Sequence, residues 1–362
     1  MFSQKLSLQN KVASVLGACM LMLAVAPAAA SILSTGHFAP LITAGAPPDS
    51  PDARIDINLP ASPFSGVVSI NIRYNGESYI CSGALVGRRH VISAGHCVDV
   101  TGAGTVIDLQ APGNDVRVVF NEGVANSVIT ASAVSLNPDY EGFGNCPPGI
   151  TSFCLNDDLA VITLGADAPA SARIYKVVVN PLLSGTRIIM AGYGTSGDGI
   201  NGFTVGPDFR IKRTGENHVD LCDGDDEQGF GGANEVWYAD FDGAGQDTLC
   251  DFFGACSPQL PNNREAGIGG GDSGGPSFVN MYGELMLVAS NTFGGWFDGQ
   301  QPGTFGTYFG GLVLGSYTDY LLEATDGNIT LVPEPAGVAL LALALLALVG
   351  ARRRPRRQQN CA

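Results

Sequence analysis

Basic residues are scarce in this chain. Lysine and arginine total 19 against 34 aspartates and glutamates, a formal charge of -15 over 362 residues. Lys5, Lys11 and the arginines at 352, 353, 354, 356 and 357 lie at the two ends, so the body between them is more acidic still. A surface of that sign repels nucleic acid and anionic membranes, and no nucleic-acid partner is expected. Aromatics are sparse at 8%, while glycine is abundant at 49 residues. With short β-branched runs, that balance points to an all-β body with many turns. No Cys-x-x-Cys pair occurs, which argues against a zinc ribbon. We assign no metal site and no cofactor, and no segment repeats at a fixed period. Imidazole chemistry has four candidates: His37, His90, His96 and His218.

Long apolar runs occur at the two ends. Lys5 and Lys11 precede Val12 to Ala26, and Ala28-Ala29-Ala30 follows. Residues 1–30 read as a signal peptide removed by signal peptidase; the alternative is a buried N-terminal helix. Residues 31–41 form a possible propeptide. Near the other end, Val332-Pro333-Glu334-Pro335 is followed by apolar Ala336 to Ala351 and then the arginine cluster. This order resembles the PEP-CTERM sorting tail of Gram-negative bacteria, which implies an exosortase-type sorting enzyme as a partner. Residues 326–335 are then a linker and 336–362 the tail. The arginines stay cytoplasmic, leaving the body outside the inner membrane. About 16 apolar residues fall short of a stable span, which suits transient inner-membrane anchoring; a permanent single-pass anchor is the rival. The expected destination is the cell surface or the medium. Of nine cysteines, Cys19 and Cys361 lie in these ends, and export makes disulfides the expected state of the rest.

The interior reads as strands. Val67 to Tyr74 and Tyr79 to Val86 flank Asn75-Gly76, a strong hairpin signal. Further strands are expected at Val91–Ser93, Val116–Phe120, Val128–Val134 and Leu159–Leu164. A second set begins near Arg173 and includes Arg187–Ala191, Asp208–Thr214, Glu235–Asp240, Ser277–Val279 and Leu285–Ser290. Tyr317 to Ala324 reads as a closing helix, and Ala46 to Pro63, with its prolines, as a loop.

Three stretches carry chemistry. Val91-Ile92-Ser93-Ala94-Gly95-His96-Cys97, Asn156-Asp157-Asp158-Leu159-Ala160-Val161-Ile162 and Gly271-Asp272-Ser273-Gly274-Gly275-Pro276 supply His, Asp and Ser in that chain order. A serine hydroxyl needs a base within reach, and the base needs an acid to fix its tautomer. Together the three resemble a trypsin-like (chymotrypsin-fold) serine protease, over roughly Ile42 to Glu323. The resemblance implies two six-stranded antiparallel Greek-key β-barrels within 42–325, the active site between them and a short C-terminal helix. It implies Ser273 as nucleophile, His96 as general base and Asp158 as its partner, with Asp157 as the alternative acid. Gly271 and Ser273 would give the oxyanion-hole N–H groups. Many relatives have alanine where Gly95 stands.

Other features follow the family less closely. Ile42-Thr43-Ala44-Gly45 resembles the apolar N-terminus exposed on maturation, pairing Ile42 with Asp272, but Leu41 precedes it where trypsin would need a basic residue. The base of the specificity pocket falls at Gly267, so no Arg/Lys specificity is implied, and Ser290 falls on the pocket wall. Gly269 stands where a pocket cysteine is usual. Family resemblance pairs Cys81 with Cys97. Cys146 and Cys154 bracket a loop and can pair; Cys250 pairs with Cys256 or with Cys222. Asp240, Asp242, Asp247 and Asp251 lie in an acidic stretch with a faint likeness to a calcium loop, but Ala244 replaces an oxygen ligand, so a solvated surface loop is expected. His90 is expected at the surface. The function implied is an exported serine endopeptidase acting on protein or peptide substrates; the alternative is a catalytically silent binding or adhesion module.

Overall fold

The computed structural model describes residues 37–38, 41–123 and 125–333. The segments read above as signal peptide and sorting tail, and most of the one read as propeptide, lie outside the described residues. Among those residues, no helix is long and apolar enough to cross a membrane.

Strands β1 (Val67–Tyr74) and β2 (Glu77–Gly87) form the expected hairpin. Its turn places Asn75 at φ 52° and Gly76 at φ 85°, the left-handed pair that a two-residue hairpin of this twist requires. Next come β3 (His90–Ser93), β4 (Asp115–Glu122), β5 (Ala125–Leu136) and β6 (Ala160–Leu164). The six close into an antiparallel barrel in the order β1-β2-β3-β6-β5-β4. Closure follows from period-2 patterning: Val68, Ile70 and Ile72 of β1, Val116, Val118 and Phe120 of β4, and Ala160, Ile162 and Leu164 of β6 fill one core. The opposite faces of β1, β2, β3 and β6 are also apolar. Val67, Ala84, Val86, Ile92 and Val161 pack with Tyr175, Tyr193, Phe278, Leu287 and Leu321 in a second cluster that joins the two halves of the molecule.

The second half is built from β7 (Arg187–Gly192), β8 (Lys212–His218), β9 (Leu221–Asp225), β10 (Gly231–Asp240), β11 (Pro276–Met281), β12 (Glu284–Trp296) and β13 (Tyr308–Val313). Its antiparallel order is β9-β10-β13-β12-β11-β7-β8. The buried Asn217 amide of β8 reaches β10 and donates to the carbonyls of Asp240 (2.8 Å) and Ala266 (3.0 Å). Trp237, Phe309, Met190 and Val288 fill this half's own core. Two short helices are present, α1 (Thr248–Phe253) and α2 (Thr318–Ala324). Leu321 of α2 is fully buried, and Tyr320 donates its hydroxyl proton to the Ser135 carbonyl of the first barrel (2.9 Å). A mostly-β chain with a short C-terminal helix is consistent with the two-barrel fold expected; among the described residues one six-stranded barrel closes, and the second half is a sheet in the order given.

Several local expectations need correction. The strand read at Asp208–Thr214 runs instead over Lys212–His218. Its polar end is held by tertiary partners: Glu216 pairs with Arg187 and Arg264, and Asn217 bonds as described. The Ala46–Pro63 loop contains a 3-10 turn at Pro51–Arg54 and a short strand, Ile55–Asp56, paired with β8. His90 begins β3 and is buried, not surface-exposed. Asp240 and Asp242 are buried as well, Asp247 is half-buried and Asp251 exposed, so the acidic stretch is solvated only at its far end.

Candidate active site

His96 sits in a single 3-10 turn, Gly95–Cys97, directly after β3. Cys97 is bonded to Cys81 of β2, so the turn is tied to a neighbouring strand. Asp158 precedes β6, which pairs with β3, and the ladder brings its carboxylate under the turn. One oxygen accepts from the His96 backbone N–H at 2.6 Å; the other lies 2.7 Å from Nδ1. Asp158 is 1% exposed, and the imidazole keeps 25% of its surface. Burial works against a charged imidazole, but the Asp158 carboxylate, by charge and hydrogen bond, together with Asp99 holds His96 above its ordinary value. Phe143 packs edge-on to the imidazole, 5.0 Å between centroids, and Phe153 packs on Phe143. The Cys146–Cys154 disulfide staples this loop.

Asp157, one residue earlier, is turned away. It adopts φ 62° and accepts from the Asn137 side chain at 2.9 Å. Burial, then Glu235, Glu227 and Asp226, push its carboxyl up to about 9. The acid bonded to His96 is therefore Asp158.

Ser273 lies in a tight loop with Gly271 at φ 100° and Gly274 at φ 77°. The Asp272 N–H donates to Gly269 and the Gly275 N–H to Asp272. The N–H groups of Gly271 and Ser273 have no protein acceptor among the described residues. The loop is set against the first barrel through Ser82, which sequence reasoning left without a role. Its N–H donates to the Ser273 carbonyl (2.9 Å) and its hydroxyl to the Gly271 carbonyl (2.8 Å). Ser93, three residues before His96, donates to the Ser82 carbonyl (2.9 Å). The sulfur of Cys97 lies 3.7 Å from the Ser273 carbonyl, and a Cβ on Gly274 would strike Ser93 and Ala94. The serine loop and the histidine turn are thus packed backbone to backbone, and Asp158 is hydrogen-bonded to His96.

Asp272 is fully buried beneath the loop. Its carboxylate accepts from Gly194 N–H and Gly269 N–H, both at 2.8 Å, and from the Ile42 N–H. Burial pushes it up to about 7, against the pull of these donors and of Arg213. Gly192 and Gly194 make room for it: a Cβ on either would lie 2.0 Å and 2.7 Å from carboxylate atoms. Ile42 is buried, and Leu41–Ile42 pairs with Ile268–Gly269.

Gly267 lines a small cavity with Thr43, Gly294, Trp296 and Tyr308, and Ser290 is not among its lining residues. Ser290 sits on β12 between β11 and β13, buried, its hydroxyl without a partner. Cys250 is bonded to Cys256, leaving Cys222 free.

The protein-family model described as Trypsin matches residues 58–205, a stretch that takes in His96 and Asp158 and ends before Ser273. The match supports a trypsin-like serine protease. No curated protein matches the chain. Among solved structures, the scabies mite inactivated protease paralogue S-I1 is similar at 16% identity, covering 75% of this chain and 97% of its own, with a TM-score of 0.44. HL collagenase is similar at 17% identity, covering 73% and 94%, with a TM-score of 0.44.

Proposed function

We propose that this chain is an exported serine endopeptidase. His96 takes the Ser273 proton as Oγ attacks the peptide carbonyl carbon, and the carbonyl electron pair moves to oxygen. The N–H groups of Gly271 and Ser273 receive that oxyanion, a contribution of ~3–4 kcal/mol per donor in comparable sites. Collapse expels the amine, which takes its proton from His96 and leaves an acyl-enzyme. Water, activated by the same imidazole, completes hydrolysis. The observation that carries the reading is the two-point grip of Asp158 on His96, by backbone and by ring.

The cavity at Gly267 offers no carboxylate among its lining residues, which supports a preference for substrates other than Arg or Lys. The peptide N–H of Ile42 lies against Asp272, the position its ammonium would take after cleavage before Ile42. Export by residues 1–30 and sorting by 336–362 complete the proposal. The decisive experiment is fluorophosphonate labelling of the processed protein: the wild type takes the label and Ser273→Ala does not. Equal labelling of both removes Ser273 as nucleophile. Sequencing of active enzyme should begin at Ile42; active material beginning at Ser31 ends the maturation idea.

A further inference from the structure

Three aspartates converge behind the wall of the Gly267 cavity, and two further carboxylates act on them. Asp240 ends β10, Asp242 follows it, and Asp247 caps α1 after a reverse turn between Gly243 and Gln246. One oxygen from each of these three lies within 4.8 Å of the others. Glu265 and Asp220, from other segments of the same chain, act electrostatically on Asp242. Burial is nearly complete: Asp240 0%, Asp242 3%, Asp220 3% and Glu265 1% exposed. One oxygen on each of these four has no hydrogen-bond partner. Other oxygens of the set are used: Asp240 accepts from Leu249 N–H, Asp220 from Asp240 N–H and Glu265 from Leu260 N–H. The orphaned oxygens of Asp240 and Asp242 belong to two of the three clustered side chains, and Asp220 lies against the same group through the Asp240 N–H. Arg54, which acts on Glu265, is committed to Asp49 at 2.6 Å and to the carbonyls of Asn262, Arg264 and Glu265.

Buried carboxylates without partners cost several kcal/mol each unless neutralised. An all-oxygen donor set selects a hard cation. Calcium takes 6–8 oxygens at ~2.3–2.6 Å in irregular geometry, whereas magnesium demands an octahedron and keeps its water. Ligand oxygens on one calcium ion can lie up to about 5 Å apart, which accommodates the spacing here.

We propose that Asp240, Asp242 and Asp247 bind one calcium ion, with Glu265 and Asp220 completing its acidic surround. The ion would clamp β10, the start of α1 and the segment leading into Ala266-Gly267. Phe241, between two of the ligands, faces Gly267 across ordinary contact distance, so the clamp stands one residue behind the cavity wall. The proposal does not depend on the catalytic reading.

The test is equilibrium dialysis of the EDTA-stripped full chain against radiolabelled calcium at about 1 mM, the upper end for extracellular sites, with thermal unfolding alongside. The expected result is one ion per chain and a higher Tm with calcium. Asp242→Asn should weaken binding roughly tenfold or more. Asp247→Asn should do the same, and since asparagine caps helices as well as aspartate, it is the deciding variant if Asp242→Asn does not fold. Asp226→Asn, in the separate group around Asp157, should bind as the wild type does. No bound calcium in the wild type overturns the proposal. So does retention by Asp247→Asn, or loss in Asp226→Asn alone.

Discussion

In the first barrel, apolar residues recur at every second position of β1, β4 and β6 and fill a closed interior. The second half has an apolar core too, but it also buries a larger set of carboxylates: Asp220, Asp240, Asp242, Glu265 and Asp272 all sit at 3% exposure or less. The candidate site takes one component from each kind of construction. His96 and Asp158 are aligned by a strand ladder and a disulfide. Ser273 is aligned by backbone N–H groups gathered around one buried carboxylate and by glycines that leave it room. Position comes from sheet register on one side and from charge solvation on the other, so the two sides should fail differently.

The largest expected effect breaks the first side. Asp158→Asn should lower kcat by roughly 10^4-fold through loss of the correct tautomer, whereas Asp157→Asn, which does not touch His96, should stay within about tenfold. Steady-state kinetics on any cleavable peptide compares the two neighbours directly; equal losses would dissolve the distinction. On the second side, Asp272→Ala leaves the Gly194 and Gly269 N–H groups buried and unpaired. At ~1–3 kcal/mol for each orphaned donor, urea unfolding should show a loss of several kcal/mol, with activity falling as the loop relaxes. Removing a disulfide sharpens the contrast further. The Cys81–Cys97 loop is worth ~3 kcal/mol and the shorter Cys250–Cys256 loop ~2 kcal/mol in the chain-entropy model, so the paired serine variants should rank in that order by denaturant midpoint.

Smaller effects follow from charge and space. His96 must be neutral to accept a proton, and its pKa is raised by Asp158. The acid limb of kcat/KM should therefore fall above ~6.5, the ordinary imidazole value, with rate lost as pH drops through it. A limb below that value would contradict the Asp158 contact. Gly95→Ala should matter least. Its Cβ would meet Leu136 at 3.0 Å and an Asp158 oxygen at 3.1 Å, contacts that a few tenths of an ångström relieve. A change in kcat of less than about tenfold, with Tm little altered, is the expected result.

The first barrel was legible because its strands alternate and its hairpin carries Asn-Gly; every expected strand there appears within a few residues of its place. Asp158 and His96 were legible from their flanking residues. The second half was harder for a definite reason. Lys212–His218 is a strand whose polar residues are satisfied by Arg187, Arg264 and distant carbonyls, and a propensity reading does not see tertiary partners. Helix α1 was missed although its signals are present: Asp247 caps its start and Gly254, at φ 67°, ends it. The acidic stretch was read as solvated because acids are usually exposed, and only the fold shows Asp240 and Asp242 enclosed. Ser82 carried no signal, since its role depends on a loop 190 residues further along.

Apolar contact between the halves is non-directional, and two packed faces held only by it can slide by an ångström at little cost. Ser82 does not permit that. Its N–H and hydroxyl grip the carbonyls of Ser273 and Gly271 in the far half while its own carbonyl is held by Ser93, and hydrogen bonds tolerate little shear. One small side chain thus works as a dowel: any relative displacement of the two halves is delivered first to the peptide groups that bracket the nucleophile.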